Sequence, residues 1–252
     1  MRLKNFIFII CNMPVLCVAQ AKDNADKATL KGSIRTVVET EYAYSRIIGL
    51  INLKEVAFKT VYSYDGQGRE TEAICYKGKR KVDYKLSFIY NGKGERVEER
   101  KTLSDNTLES VNKYTYDDAG NQVRDEEYNA ANSLMGKGEF SYNSQGRQAG
   151  FIYYDGRGSM EYKSVNQYDS KGIKIEEDYY STSDSLEFKL HYTYDAFGNE
   201  TSLAYNAPDG TLTSQVNHEY GDVDQQGNWC KQVTKEDGKR VSMIKRKIIY
   251  SK

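Results

Sequence analysis

Within its 252 residues the chain has only two prolines, two histidines and one tryptophan. Pro14 lies in an N-terminal apolar segment and Pro208 in a turn, so the strands between turns keep every ladder hydrogen bond available to them. His191 and His218 are too few for a histidine-based metal centre, and neither has a Ser or Cys partner at a spacing that suggests nucleophilic catalysis. Phosphate-loop and zinc spacings are missing too. Asp222-x-Asp224-x-Gln226-Gly227 opens like a calcium loop, but its twelfth position is Val233, where a bidentate Glu is required. A distorted turn is the better reading. The expectation is therefore a non-enzymatic protein with no catalytic residue, no cofactor and no metal.

Neither sign of charge is in excess: 36 Lys and Arg stand against 36 Asp and Glu. Removing Arg2 and Lys4 with a leader shifts this to 34 against 36. That balance gives no reason to expect nucleic acid or an anionic membrane as partner. No apolar run is long enough to cross a bilayer, since Phe6 to Ala19 is interrupted by Asn12 and Pro14.

Tyrosine is abundant, with 22 Tyr against 8 Phe, and it is periodic. Tyr64, Tyr90, Tyr116, Tyr142, Tyr168, Tyr194 and Tyr220 follow one another at a constant spacing. Asp or Asn comes next in six of the seven. Glycine sits four residues after the tyrosine at Gly68, Gly94, Gly120, Gly146, Gly172 and Gly198, and the last copy delays it to Gly227. Asp-x-x-Gly suits a hairpin loop in which the acid side chain caps a type I turn and the glycine takes positive φ in a G1 bulge. The residues before it alternate, as in Phe188, Leu190, Tyr192 and Tyr194 against Lys189, His191 and Thr193. That pattern marks a half-buried strand. A looser turn signal falls midway, for example Ser104-Asp105-Asn106 and Asp155-Gly156-Arg157-Gly158.

Each unit thus reads as strand, tight turn, strand, loose turn. The predicted fold is all-β: a long, coiled antiparallel β-meander of seven 26-residue hairpin units, with a parallel β-solenoid as the alternative. The column Thr71, Val97, Val123, Ala149, Ile175 and Thr201, mostly β-branched, is expected to face inward. Adjacent tyrosines such as Tyr153/Tyr154 and Tyr179/Tyr180 must point to opposite faces. Recurring acid pairs (Glu98/Glu99, Glu126/Glu127, Glu176/Glu177) read as a solvated strand column. In an open meander Cys75 and Cys230 lie about 58 Å apart at about 4.8 Å per strand, so two separate thiols are expected.

Residues 1–21 read as a signal peptide, with a basic start, an apolar centre and a small-x-small site at Ala19-Gln20-Ala21. Leu16-Cys17 offers a poorer lipoprotein reading, because a small residue normally precedes the lipidated cysteine. Residues 22–61 follow as an N-terminal linker with capping strands, Ser33 to Tyr42 covering the edge of the first repeat, and 62–252 as the repeat domain with an irregular C-terminal cap. Ala43 to Glu55 fits either a long hairpin connection or one helical turn.

The motif in Tyr64-Asp65-Gly66-Gln67-Gly68-Arg69, Tyr116-Asp117-Asp118-Ala119-Gly120-Asn121 and Tyr194-Asp195-Ala196-Phe197-Gly198-Asn199 resembles the YD repeat of RHS-type bacterial proteins. The resemblance covers roughly residues 62 to 250. It implies a β-sheet shell and an extracytoplasmic place, periplasmic or secreted. This chain is too short to enclose a toxin as the large members do. The expected function is presentation of a binding surface to an envelope protein or glycan, or else an accessory or remnant role in an RHS-type toxin system. The candidate binding residues are Tyr153, Tyr179 and Tyr205, read as an exposed row on which sugar rings stack, and Trp229, read as an aromatic plug on the final layer.

Overall fold

The computed structural model describes residues 30–47 and 50–251, so the expected leader, its Ala21 site and Cys17 lie outside the described residues. Sixteen strands follow in chain order: β1 (Ile34–Ile47), β2 (Leu50–Tyr64), β3 (Glu70–Lys77), β4 (Lys81–Tyr90), β5 (Arg96–Leu103), β6 (Leu108–Tyr116), β7 (Gln122–Asn129) and β8 (Leu134–Tyr142), then β9 (Gln148–Asp155), β10 (Met160–Tyr168), β11 (Lys174–Ser181), β12 (Leu186–Tyr194), β13 (Glu200–Asn206), β14 (Leu212–Val223), β15 (Trp229–Glu236) and β16 (Lys239–Tyr250). Each pairs antiparallel with its sequence neighbour, and β1 pairs antiparallel with β16, so the meander closes into a barrel. No parallel pair occurs among these strands, which removes the solenoid alternative.

Closure follows from the physics of edges. Sixteen twisted strands exceed what an open sheet carries without curling, and an open meander leaves two unpaired edges. β1 pairs with β2 on one side and with β16 on the other. Residues 22–61 accordingly supply β1 and most of β2, two staves of the same wall. The segment 43–55 runs through the β1–β2 hairpin as extended strand on both sides of residues 48 and 49.

The Tyr-Asp-x-x-Gly units build the turns at one end of the barrel. In the first, the Asp65 N–H donates to the Arg69 carbonyl (2.9 Å) and Gly68 N–H donates to the Asp65 carbonyl (3.0 Å). Asp65 Oδ1 accepts from the N–H of Gln67 and Arg69 at 2.9 and 3.0 Å. Gly68 takes φ 77°, and the register slips between Ser63 and Tyr64 as a G1 bulge requires. The turns at the other end are not looser. Asn106 N–H donates to the Leu103 carbonyl (2.9 Å), and Leu103 N–H to the Thr107 carbonyl (2.8 Å). Their left-handed position is filled by Asn106, Asn132 or Asp184 as often as by glycine, which hides the same turn from a motif built on Gly.

The seventh turn is also regular. Asp224 Oδ1 accepts from the N–H of Gln226 and Asn228, both at 2.9 Å, and Gly227 takes φ 84°. The insertion lengthens β14 to 12 residues and leaves the turn undistorted.

A bulge also overturns one expected column. Ile175 is the extra residue between the pairs Tyr168–Lys174 and Gln167–Glu176, and it is exposed. Inward placement passes one residue back, to Arg96, Gln122 and Lys174 in equivalent positions of their units. The anchor tyrosines exploit the same interruption of the ladder. Tyr90, Tyr116, Tyr142 and Tyr168 each donate the hydroxyl to the carbonyl 20 residues earlier, at Glu70, Arg96, Gln122 and Gln148, all at 2.7 Å. Tyr220 does the same with Glu200 at 2.9 Å. At these five anchors a tyrosine thus ties a strand end to the bulge beside it.

Cys75 on β3 and Cys230 on β15 are free thiols. The wide separation expected for an open sheet does not survive closure, because across the seam these strands are four positions apart. At about 4.8 Å per strand that is roughly 19 Å, still beyond disulfide reach.

Candidate binding wall inside the barrel

A single-layer barrel has one sheltered face. Glu99, Asp125, Phe88, Tyr114, Phe188 and Leu190 are all buried, and alternation along their strands places them together on that inner face. The outer face carries a lysine at the same place in most repeats, namely Lys59, Lys85, Lys137, Lys163 and Lys189. Lys59, Lys137 and Lys163 lie over Tyr76, Tyr154 and Tyr180 at 5.0, 4.6 and 5.3 Å from the ring centroids. Lys189 bridges Glu176 (2.9 Å) and Asp178 (3.2 Å).

This parity corrects two expectations. The acid pairs are not solvated columns: Glu98, Glu126 and Glu176 face out, while Glu99 and Glu177 are buried inside and Glu127 is half-buried. Likewise, the row expected on an exposed face turns inward. Tyr154 and Tyr180 are the outer members of their pairs, Tyr153 and Tyr179 the inner ones. Tyr205, opposite Leu190, shares the inner wall.

The strand registers assemble the wall into two lateral rows. Tyr114, Asp125, Gly138, Tyr153 and Tyr162 face one another in turn across β6 to β10. Phe140, Phe151, Ser164, Tyr179 and Phe188 do so across β8 to β12. Ring contacts knit these rows together. Phe140–Phe151 centroids are 4.9 Å apart, Tyr153–Tyr162 5.4 Å at 25°, Tyr162–Tyr179 6.2 Å, and Tyr179–Phe188 4.6 Å at 15°. Tyr162 thus intervenes between the two expected residues, and sequence reasoning misses it together with Phe140, Phe151 and Phe188. A strand register drawn from the repeat period places all four on one wall.

Gly136 and Gly138 make the packing possible. A Cβ at Gly136 would overlap the Tyr153 hydroxyl, and one at Gly138 would overlap Phe151 and the Asp125 carboxylate. Both rings therefore lie over bare backbone.

Charge on the wall follows the repeat. In one unit Arg96 sits over the Phe88 ring (4.0 Å) and within 3.7 Å of Glu99, whose carboxylate also lies 3.4 Å from the Tyr114 hydroxyl. Three repeats on, Lys174 sits over Tyr192 (4.6 Å) and 3.5 Å from Glu177, which accepts from the Tyr192 hydroxyl at 2.9 Å. A unit between them has Gln122 in the cation position and Asp125 in the acid position. Asp125 is 5% exposed and takes part in no ion pair among the described residues. Burial pushes its carboxyl up to about 6, against the pull of the Gly138 N–H, and the charges of Glu127 and Glu126 add to the rise. Burial also raises Glu99, with Arg96 opposing, and Glu127, with Lys101 opposing. The phenols of Tyr179 and Tyr192 are held well above the usual range by burial first and by Glu177 next.

Four further polar atoms on this face are enclosed without a hydrogen-bond partner: Asn112 Oδ1, Gln122 Nε2, Ser164 Oγ and Asn166 Oδ1. Gln122 and Ser164 are 2% and 3% exposed. A buried unpaired group costs about 1–3 kcal/mol, so this wall holds polar capacity that the chain itself leaves unused.

Trp229 belongs elsewhere. It lies at the β15–β16 side of the closure, with the Arg246 guanidinium 3.4 Å from its ring centroid and Tyr220 at 5.4 Å. Arg246 in turn donates to Glu39 Oε1 on β1 at 2.9 and 2.6 Å. Among the described residues no cluster of three or more His, Cys, Asp or Glu could hold a metal ion.

No family model matches the chain, and no curated protein matches it. Among solved structures, a porin-like protein from Bacteroides uniformis aligns over 86% of this chain and 96% of its own, with TM-score 0.56 and 12% identity, a likeness of fold. A putative outer membrane lipoprotein-sorting protein domain from Vibrio parahaemolyticus aligns over 91% and 89%, with TM-score 0.33 and 5% identity. The Photorhabdus luminescens Tc holotoxin pore aligns over 75% of this chain but 12% of its own, with TM-score 0.29 and 11% identity. The expected membership of the RHS-type YD-repeat family is therefore corrected. The sheet closes on itself, no family model supports the link, and the porin-like structure that aligns along most of both chains is of another kind. Asp-x-x-Gly suits a bulged hairpin wherever one occurs, so the motif on its own reports a turn and does not establish a lineage.

Proposed function

We propose that this protein is a non-enzymatic binding barrel of the bacterial envelope, exported by the leader-like segment 1–21, and that it holds a glycan against its inner wall between β6 and β12. The observation that carries this reading is the meeting of an aromatic wall with buried, unpaired polar atoms on one face. Aromatic rings take the apolar face of a sugar, and amides, a hydroxyl and a carboxylate take its hydroxyl groups. A barrel of sixteen strands is wide enough to admit such a ligand, since barrels of that size leave a lumen that side chains do not fill. The charged outer face argues against a lipid-facing role, because a membrane barrel turns an apolar band outward.

The test compares the two members of each tyrosine pair. Glycan-array binding by the full chain is expected to fall at least tenfold when Tyr153 and Tyr179 are both replaced by Ala, and to persist when Tyr154 and Tyr180 are replaced. Equal loss in both variants, or binding untouched by the inner pair, would reject the inner wall as the site.

A further inference from the structure

The repeat itself shows what is missing beside Asp125. Arg96 serves Glu99 and Lys174 serves Glu177, each three residues ahead of its acid and each stacked on a ring of the neighbouring strand. At the corresponding place in a unit between them the cation is replaced by Gln122, whose Nε2 has no partner, while the acid is kept as Asp125. We propose that the ligand carries a protonated amine, as an amino sugar does, and that this amine takes the cation's place between Asp125 and the Phe140, Phe151 and Tyr162 rings. This rests on the inner-wall glycan site proposed above and names the chemistry of its ligand.

The groups facing Asp125 suit an ammonium. From its own strand come Glu127 and, around the backbone, Glu126; from β6 comes Tyr114 and from β8 the bare Gly138; the phenols of Tyr153 and Tyr162 feel its charge from β9 and β10. Glu99, on β5, is already matched by Arg96. An anionic ligand would meet uncompensated negative charge here. A purely neutral one would leave Asp125 buried without a counter-ion, the costliest arrangement for a carboxylate. An amine removes that cost and gains from the π faces beside it. At bare Gly138 the Phe151 ring edge and an Asp125 carboxylate oxygen share the space that a Cβ would fill, which sets a π face directly beside the acid.

The experiment uses matched oligosaccharides: oligomers of glucosamine and of N-acetylglucosamine, equal in length, titrated calorimetrically at pH 7 into the full chain and into Asp125→Asn and Gln122→Arg. The wild type is expected to prefer the amine-bearing oligomer at least tenfold. Asp125→Asn removes the acid, and Gln122→Arg restores a cation like that of Arg96 and Lys174. Each should bring the ratio of the two affinities close to one, the ratio and not the affinity for either oligomer being the readout. Equal affinity of the wild type for both oligomers overturns the amine and leaves the glycan site standing. A preference that survives in both variants overturns Asp125 as its cause. Binding of neither oligomer by the folded wild type overturns both readings.

Discussion

The wall of repeats and the seam that closes it are built from different materials. Along the wall, turns and bulges recur twice per repeat, the hydroxyl-to-carbonyl tyrosine bonds recur at five of the anchors, and all of them join neighbours in sequence. At the seam nothing recurs. The Lys31 N–H donates to Asn228 Oδ1 (2.7 Å), Asn228 Nδ2 donates to the Lys31 carbonyl (2.9 Å) and to the Tyr250 hydroxyl (2.8 Å), and Tyr250 donates to Asp224 Oδ2 (2.5 Å). Glu39, Arg246 and Trp229 stack beside them. These contacts join residues as much as 207 positions apart. The wall therefore spreads its stability over many equivalent small terms, whereas the seam concentrates it in a few side chains that have no substitute.

The sharpest way to break this comparison is at the seam. Arg246→Ala strands the part-buried Glu39 and strips the Trp229 face, and should cost about 2–4 kcal/mol in urea unfolding. A cost below about 1 kcal/mol would mean that backbone pairing alone holds β1 to β16.

Next is Asp125, where the wall works against its own stability. Its folded pKa of about 6 lies above the ordinary carboxylate value, so the folded state binds the proton more tightly than the unfolded chain. Stability from this group is fully present below about pH 4 and is lost as pH rises through about 6, a penalty on the order of 3 kcal/mol at pH 7. Asp125→Asn should flatten that slope and raise the urea midpoint at pH 7. A variant less stable than wild type at pH 7 would contradict the burial of a charged carboxylate. The half-buried turn acids Asp65, Asp117 and Asp169 shift the other way, held low by hydrogen bonds from the backbone and from the side chains of Arg69 and Asn121. Their contribution is lost as pH falls.

Within the repeats, Tyr116→Phe or Tyr142→Phe deletes one hydroxyl-to-carbonyl bond and should cost about 1 kcal/mol each. The double variant should be additive within about 0.5 kcal/mol, since the two bonds share no partner. Strong coupling would show that the tyrosine ties form one cooperative belt. Smallest of all, Lys137→Ala on the outer face should change stability by less than about 1 kcal/mol, because its contacts with Glu139 and Tyr154 are solvent-screened.

Much of the wall is legible in the sequence. Asp-x-x-Gly announces the turn and its bulge at one end of the barrel, where glycine takes the αL position, while Asn106, Asn132 and Asp184 take it unannounced at the other. Alternation announces the strands. The site is less legible. Tyr153 and Tyr179 stand out as members of one row, but the sequence reading assigns that row to the wrong side of the sheet, since period 2 separates two faces without saying which is concave. Glu99 and Glu177 read as solvated because a recurring acid column looks the same in sequence whether water or a ring covers it. Arg96 and Lys174 escape a sequence reading because the bulge at the extra residue shifts the inward position by one.

The sequence by itself determined the 26-residue period and the type of turn that ends each unit, the turn depending only on residues within a few positions of one another. Tertiary structure alone decided that the first strand meets the last, which face became the interior, and that Asp125 and Gln122 are buried on it. Those outcomes depend on edges and surfaces brought together from opposite ends of the chain. No local preference specifies such a meeting: unpaired strand edges and uncovered rings lower their free energy only by finding each other.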